Sequence, residues 1–105
     1  MGKVDLTTSL YNCVQNNLKN AKGFTMDYYN GACPIGFNLG GRWFVIDVCP
    51  VSNIISLQEN LEGYEADTQH IGALCYESKY FACIEKRIKE LSVNPNAQIK
   101  GAKLI

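Results

Sequence analysis

The sequence has few of the residues that most catalytic sites require. It contains one histidine, His70, so any Cys–His or Ser–His mechanism must use that residue. His70 lies five residues before Cys75, and two such positions on a helix are about 140° apart, so they do not face each other. Gly36, Gly40 and Gly41 fall in a predicted strand and turn, whereas a phosphate-binding loop joins a strand directly to a helix. The sequence therefore shows no catalytic constellation.

Excess charge and long apolar runs are missing as well. Ten basic and ten acidic residues cancel, so no overall field attracts nucleic acid or an anionic membrane. No apolar run reaches the roughly 20 residues of a membrane-spanning helix, and the first residues lack the pattern of a signal peptide. We therefore expect a cytoplasmic protein that does not bind membranes.

The sequence has five cysteines, an odd number, and none of them forms a C-x-x-C pair. Secreted disulfide frameworks favour even counts and zinc sites favour close pairs, so we expect reduced thiols and no metal or other cofactor. Cys49 precedes Pro50 at a predicted strand end, beside a predicted helix N-terminus, where the pKa of a thiol can be lowered. A small cysteine-dependent enzyme or small-molecule-binding protein that uses Cys49 or Cys75 with His70 is therefore the alternative function. The apolar neighbours of the cysteines favour instead their interpretation as small hydrophobic residues.

At 105 residues, with 47% hydrophobic and 19% charged residues, the chain is expected to form one domain, residues 1–105, with a single core. The strongest structural signals are Asn30-Gly31 and Gly40-Gly41, which are typical of two-residue hairpin turns. They predict three strands, at 24–29, 32–39 and 42–49.

Both turns give the same strand register, with Phe37 opposite Phe44 and Met26 opposite Ile35. Because side chains alternate between the faces of a sheet, this register separates an apolar face from a mixed one. Pro34 interrupts the central strand, so we expect a bulge or an irregular start at Cys33-Pro34, with regular pairing from Ile35 onward. The apolar face consists of Phe24, Met26, Tyr28, Cys33, Ile35, Phe37, Leu39, Phe44, Ile46 and Val48.

Helical spacing predicts the elements on either side of these strands. A first helix is expected from a cap at 7–9 to about Lys22, with Gly23 just past its end. A second helix is expected after Pro50, from a cap at Ser52 or Asn53 to about residue 62.

The last region has two possible interpretations. A helical region that begins at Asp67 or Thr68 would bend near Glu77-Ser78 or divide into two helices there; alternatively, 73–76 and 79–83 form a hairpin. In the helical interpretation the fold class is a two-layer α+β domain, with an N-terminal helix, a three-stranded antiparallel meander and two or more helical segments (αβββαα).

This order of elements resembles two known architectures. It resembles the double-stranded-RNA-binding domain in topology, but the basic cluster of that family is replaced here by Ser52, Asn53, Ile54 and Ile55, so double-stranded-RNA binding is disfavoured and the sequence gives no strong nucleic-acid signal. It also resembles some small phage-encoded inhibitors of bacterial defence nucleases. That likeness is one of architecture, without a shared sequence motif.

The mixed face of the sheet is the predicted binding surface of a non-enzymatic protein-binding module. Trp43, Tyr29 and Val45, with Pro34, would form an apolar patch of the kind found at interaction hot spots. Alternatively, Trp43 lies diagonally over Gly36 and shields it. The two aspartates on this face could approach one cation, but solvated surface acids are the simpler interpretation. The predicted binding residues are Tyr29, Asn38, Trp43, Val45, Asp27 and Asp47.

The strand at 42–49 would be an edge of this meander. It is apolar and carries only Asp47 as an internal charge, so two copies could pair their strands about a two-fold axis. We expect a homodimer with Trp43, Val45 and Ile46 at or near the seam. A last helical segment that covers this edge is the alternative.

Overall fold

The computed structural model describes residues 3–26, 34–49, 51–60 and 75–97. The strands within these ranges form one antiparallel sheet, whose spatial order β1-β2-β3-β4-β5 follows the order of the chain. The predicted α+β class is confirmed, whereas the predicted three-stranded meander is only part of a five-stranded sheet. In chain order the elements are α1 (Lys3–Asn17), β1 (Lys22–Met26), β2 (Ile35–Leu39), β3 (Arg42–Cys49), β4 (Ile54–Asn60), β5 (Cys75–Ser78) and α2 (Phe81–Val93).

The Gly40-Gly41 turn gives the register that the sequence predicts. Phe37 pairs with Phe44, and the two glycines have φ angles of 61° and 85°, as a type I′ turn requires. Met26 pairs with Ile35 as expected, although the turn at 30–31 that predicts this pairing lies outside the described residues. Strand β2 begins directly after Pro34, so regular pairing from Ile35 onward is confirmed.

Both helices lie on the predicted apolar face of the sheet. The apolar stripe of α1 and its end is buried as predicted, at Leu10, Cys13, Val14 and Leu18. Helix α2 contacts α1, β4 and β5, and the buried side chains of both helices join those of the sheet in one cluster. Met26 is the exception on this face. It is exposed because it lies at the end of the edge strand β1. The sheet contributes Ile35, Phe37, Leu39, Phe44, Ile46, Val48, Ile55, Leu57 and Tyr76, and α2 contributes Ile84, Ile88 and Leu91.

The predicted second helix is wrong, because residues 54–60 form strand β4. The residues before it, at 51–53, form a turn, in which Asn53 has a φ of 58° and its N–H donates to the Cys49 carbonyl at 2.9 Å. Strand β4 pairs with β3 along its whole length, with Ile54 opposite Cys49 at one end and Asn60 opposite Trp43 at the other. The β-branched pair Ile54-Ile55 suits a strand, and pairing along the whole length of β4 outweighs the helical spacing.

Strand β3 is therefore not an edge. It pairs with β2 on one side and with β4 on the other, so its backbone groups are already bonded within the chain. The expected homodimer through the strand at 42–49 loses its basis. The topological likenesses drawn from a three-stranded order lose theirs too, because the sheet has five strands.

The ends of the predicted helices also need correction. Helix α1 begins at Lys3, before the predicted caps at 7–9, and ends at Asn17; Gly23 lies inside β1, where its φ of 65° accompanies a shift of register. A helix through 75–78 is wrong, because these residues form β5, and the predicted break at Glu77-Ser78 is the end of that strand. The second half of the alternative hairpin is also wrong, since α2 begins at Phe81. The start at 67–68 lies outside the described residues.

Candidate functional site

The outer face of the sheet, which points away from both helices, carries four of the predicted binding residues. Trp43 is only 5% exposed and Val45 only 3%, so the expectation of a patch open to solvent is wrong. A Cβ atom added to Gly36 would lie 2.5 Å from Trp43 Cζ2, which places the indole directly on the glycine backbone. The alternative, in which Trp43 shields Gly36, is confirmed. Tyr29 and Asp27 lie outside the described residues.

Asn38, another predicted binding residue, has a local structural role. Its Oδ1 accepts a hydrogen bond from the Gly41 N–H at 3.1 Å, across the turn between β2 and β3. This contact stabilises the turn, as asparagine side chains commonly do beside glycine.

Among the residues that the structure describes, two polar side-chain atoms of the outer face are buried without a hydrogen-bond partner: Trp43 Nε1 and Asp47 Oδ1. Burial raises the pKa of the Asp47 carboxyl above its usual range, since it disfavours the charged form, and a hydrogen bond from the Val48 N–H partly opposes this shift. Buried donors and acceptors are paired in most proteins, so each unpaired one calls for an explanation.

The neighbouring strands add polar side chains to the same face. Ser56 pairs with Asp47 and Gln58 pairs with Val45 across β3 and β4. The Ser56 hydroxyl donates to Glu77 Oε1 at 3.3 Å. Asp47, Ser56 and Glu77 therefore form a polar row across three strands.

Within the described ranges, no group of three or more His, Cys, Asp or Glu side chains could hold a metal ion. No helix in these ranges is long and apolar enough to span a membrane.

No family model matches this chain, and neither a curated protein nor a solved structure matches it. His70 and the side chain of Cys75 lie outside the described residues, so their predicted pairing stays a prediction.

Cys49 is an exposed free thiol at the end of β3. Its pKa is lowered by hydrogen bonds from the Ser52 hydroxyl and from the N–H groups of Ser52 and Val51. The sequence predicts that a helix N-terminus lowers the pKa of the Cys49 thiol, but residues 51–53 form a hairpin turn instead. The backbone of this turn, together with the Ser52 hydroxyl, stabilises the thiolate.

We expect Cys49 to react with iodoacetamide faster than Cys13 at neutral pH. Burial raises the pKa of Cys13, whereas the thiolate of Cys49 forms at lower pH and is accessible to the reagent. Replacing Ser52 with alanine removes the hydrogen bond from the Ser52 hydroxyl to Cys49 and should raise the pH midpoint of Cys49 alkylation. Mass spectrometry of labelled peptides measures both effects. Equal rates for the two cysteines would contradict the expectation.

Two exposed apolar side chains lie at one end of the sheet, which we call the hairpin end: Val51 and Tyr80. Val51 is 94% exposed at the tip of the β3–β4 turn, and Tyr80 is 63% exposed. Ser78 pairs with Ile55 near the start of β4, so the chain that leaves β5 carries Tyr80 to the same end as Val51. Sequence reasoning missed this surface because it placed a helix after Pro50. An apolar residue directly after that proline was the available signal.

Arg42 organises the opposite end of the sheet. Its Nε and Nη2 donate to Glu59 Oε2 and Oε1 at 2.9 and 2.8 Å. The same guanidinium donates to the carbonyls of Pro95 and Ala97 and lies 4.8 Å from the centroid of the Phe44 ring. These bonds fix the chain that follows α2 to strands β3 and β4. A shallow groove lies beside this point, lined by Lys86, Lys89, Glu90, Val93, Asn94 and Ala97.

Proposed function

We propose that this chain is a non-enzymatic binding module that inhibits or regulates a larger protein by occupying part of its surface. The observation that supports this proposal is the hairpin end, where Val51 and Tyr80 leave large apolar side chains in solvent. Apolar side chains grouped in this way are typical of interaction surfaces, and tyrosine is enriched among the residues that contribute most to binding.

The hairpin end is built on a well-paired part of the sheet. Strands β3 and β4 form seven residue pairs, and the Asn53 N–H closes the turn onto the Cys49 carbonyl. Ser78 Oγ accepts a hydrogen bond from the Tyr80 N–H at 2.9 Å, which fixes the backbone that carries the tyrosine. A surface that is already ordered loses little conformational entropy when a partner binds.

Replacing Val51 with lysine or Tyr80 with serine should reduce capture of a protein partner by roughly tenfold or more. Both side chains are exposed, so we expect thermal unfolding and circular dichroism to stay unchanged. The measurement is affinity capture from a lysate of the source organism, with the captured protein quantified by mass spectrometry.

Val93 supplies the matched control, because it is an exposed valine at the end of α2 remote from the hairpin end. Val93→Lys should leave capture unchanged. If Val51→Lys and Tyr80→Ser capture as much partner as the unmodified chain, the hairpin end is not the binding surface.

Cys49 supports a second candidate function, that of a small cysteine-dependent enzyme or small-molecule-binding protein. The specific observation is its exposed thiol, whose pKa is lowered by the Ser52 hydroxyl. If alkylation of Cys49 leaves partner capture unchanged, the Cys49 thiol is not needed for partner binding, and the two candidate functions are independent.

A further inference from the structure

Strand β1 is an edge of the sheet, and the described part of the chain leaves one of its sides without a partner strand. It pairs with β2 on the other side. Four of its five residues are exposed, among them Met26 at 43%. An edge strand of this kind presents backbone N–H and C=O groups that pair readily with a further strand.

The Gly40-Gly41 turn determines which backbone groups of β1 face the open side. In a two-residue hairpin the residues that flank the turn, here Leu39 and Arg42, exchange both hydrogen bonds, and hydrogen-bonded pairs then alternate along the ladder. Gly36 therefore lies at a position that is not hydrogen-bonded to β3. Its N–H and C=O point to β1 instead, where they bond with Thr25, its partner in that strand.

The residues on either side of Thr25 have their backbone groups turned the other way. Within a trans peptide group the C=O of one residue and the N–H of the next point in opposite directions. Because both backbone groups of Thr25 point to β2, the Phe24 C=O and the Met26 N–H face the open side. Neither group has a hydrogen-bond partner among the described residues. One acceptor and one donor thus lie symmetrically about Thr25, and such a pair is complementary to itself.

We propose that β1 pairs antiparallel with the β1 strand of a second copy of this chain, about a two-fold axis beside Thr25. In this register the Met26 N–H of each copy donates to the Phe24 carbonyl of the other, so one symmetric contact satisfies both groups. The five strands of one copy then continue into the five strands of the other. Met26, an exposed apolar side chain, comes to lie beside the partner's Phe24 on the face that the helices cover.

The sequence of β1 leaves this contact open at its centre. Lys22 is the only charged residue of the strand and lies three residues from the axis, so the two lysines are about 20 Å apart along the seam. The shift of register at Gly23 lies toward the same end. The three residues from Phe24 to Met26 carry neither a charge nor a proline, the features that normally protect an edge. The chain has no net charge, so two copies do not repel each other overall.

Sedimentation velocity of the full chain over a concentration series tests the proposal, and we expect a dimer in the micromolar range. Met26→Pro removes the N–H that faces the seam and leaves the bonds between Thr25 and Gly36 in place. It should weaken the dimer by at least about tenfold, because two symmetric hydrogen bonds are lost. Met26→Leu is the matched control, since it keeps the N–H and an apolar side chain, and it should dimerise like the unmodified chain.

A charge exchange at the axis tests the register itself. The two Thr25 side chains lie directly opposite each other, so Thr25→Lys and Thr25→Glu should each be monomeric, and an equimolar mixture of the two variants should restore the dimer. Restoration also shows that both variants are folded.

Three results would overturn the proposal. The first is a monomeric unmodified chain at high micromolar concentration; loss of partner capture by Met26→Pro in such a monomer would assign the edge to a strand of another protein. The second is a Met26→Pro dimer as tight as that of Met26→Leu. The third is a mixture of the Thr25 variants that stays monomeric while the unmodified chain dimerises.

Discussion

Replacing Gly36 with valine should destabilise the protein by about 3 kcal/mol, the upper part of the range for overpacking a filled interior. A Cβ at this position would lie 2.5 Å from Trp43 Cζ2 and 2.6 Å from Thr25 Oγ1, closer than such atoms can approach. The indole would have to leave the glycine, and its own burial would be lost. Urea denaturation of the variant and the unmodified chain measures the change in the free energy of unfolding.

A double-mutant cycle separates the clash from a general intolerance of side chains at Gly36. In a Trp43→Val background the ring is gone, so Gly36→Ala should cost at least about 1 kcal/mol less than in the unmodified chain. Gly40→Asn is the control, because nothing lies within 4 Å of a Cβ there and asparagine tolerates its φ of 61°. Additive costs in the cycle would show that Trp43 is not the obstacle.

Replacing Glu59 with glutamine should cost about 3 kcal/mol, since the partner Arg42 would keep a charge in a largely buried place. The Arg42 and Glu59 side chains are 19% and 10% exposed, and two hydrogen bonds join them. The same arginine also fixes the Pro95 and Ala97 carbonyls, so its displacement would loosen the chain after α2. Thermal or chemical unfolding measures the loss.

The ion pair between Arg87 and Glu90 supplies the matched comparison. Its N–O distance is also 2.8 Å, but its side chains are 40% and 44% exposed. Glu90→Gln should therefore cost no more than about 0.5 kcal/mol, and salt should diminish that small effect while leaving the cost of Glu59→Gln nearly unchanged. Similar costs for the two substitutions would mean that burial does not strengthen the Arg42–Glu59 contact.

Local turn chemistry explains which parts of the fold could be predicted. The Gly40-Gly41 turn fixes the pairing of Phe37 with Phe44, and alternation of side chains then assigns each residue of β2 and β3 to a face. Strand β4 could not be recognised in the same way, because the apolar positions of Ile54, Ile55 and Leu57 fit a short helix and a strand equally well. The pairing of β4 with β3 decides between them.

The candidate sites depend on contacts that are distant in sequence. Arg42 and Glu59 are 17 residues apart and meet only because β3 and β4 are neighbours. The contact of Trp43 with Gly36 is one of the predicted alternatives, whereas the near-complete burial of Trp43, at 5% exposure, is not predicted from the sequence. The exposure of Val51 follows from a turn that replaces the predicted helix.

Because the strand order of the sheet follows the order of the chain, every strand pairs only with its sequence neighbours. Pairings between sequence neighbours close shorter loops than pairings between distant strands would, which lowers contact order relative to a sheet with crossovers and favours faster folding. The contact between α1 and α2 is different, because it joins the first and last described elements of the chain. The two helices therefore bring opposite ends of the sequence together, and their docking completes the cover of the sheet only after both ends of the chain are available.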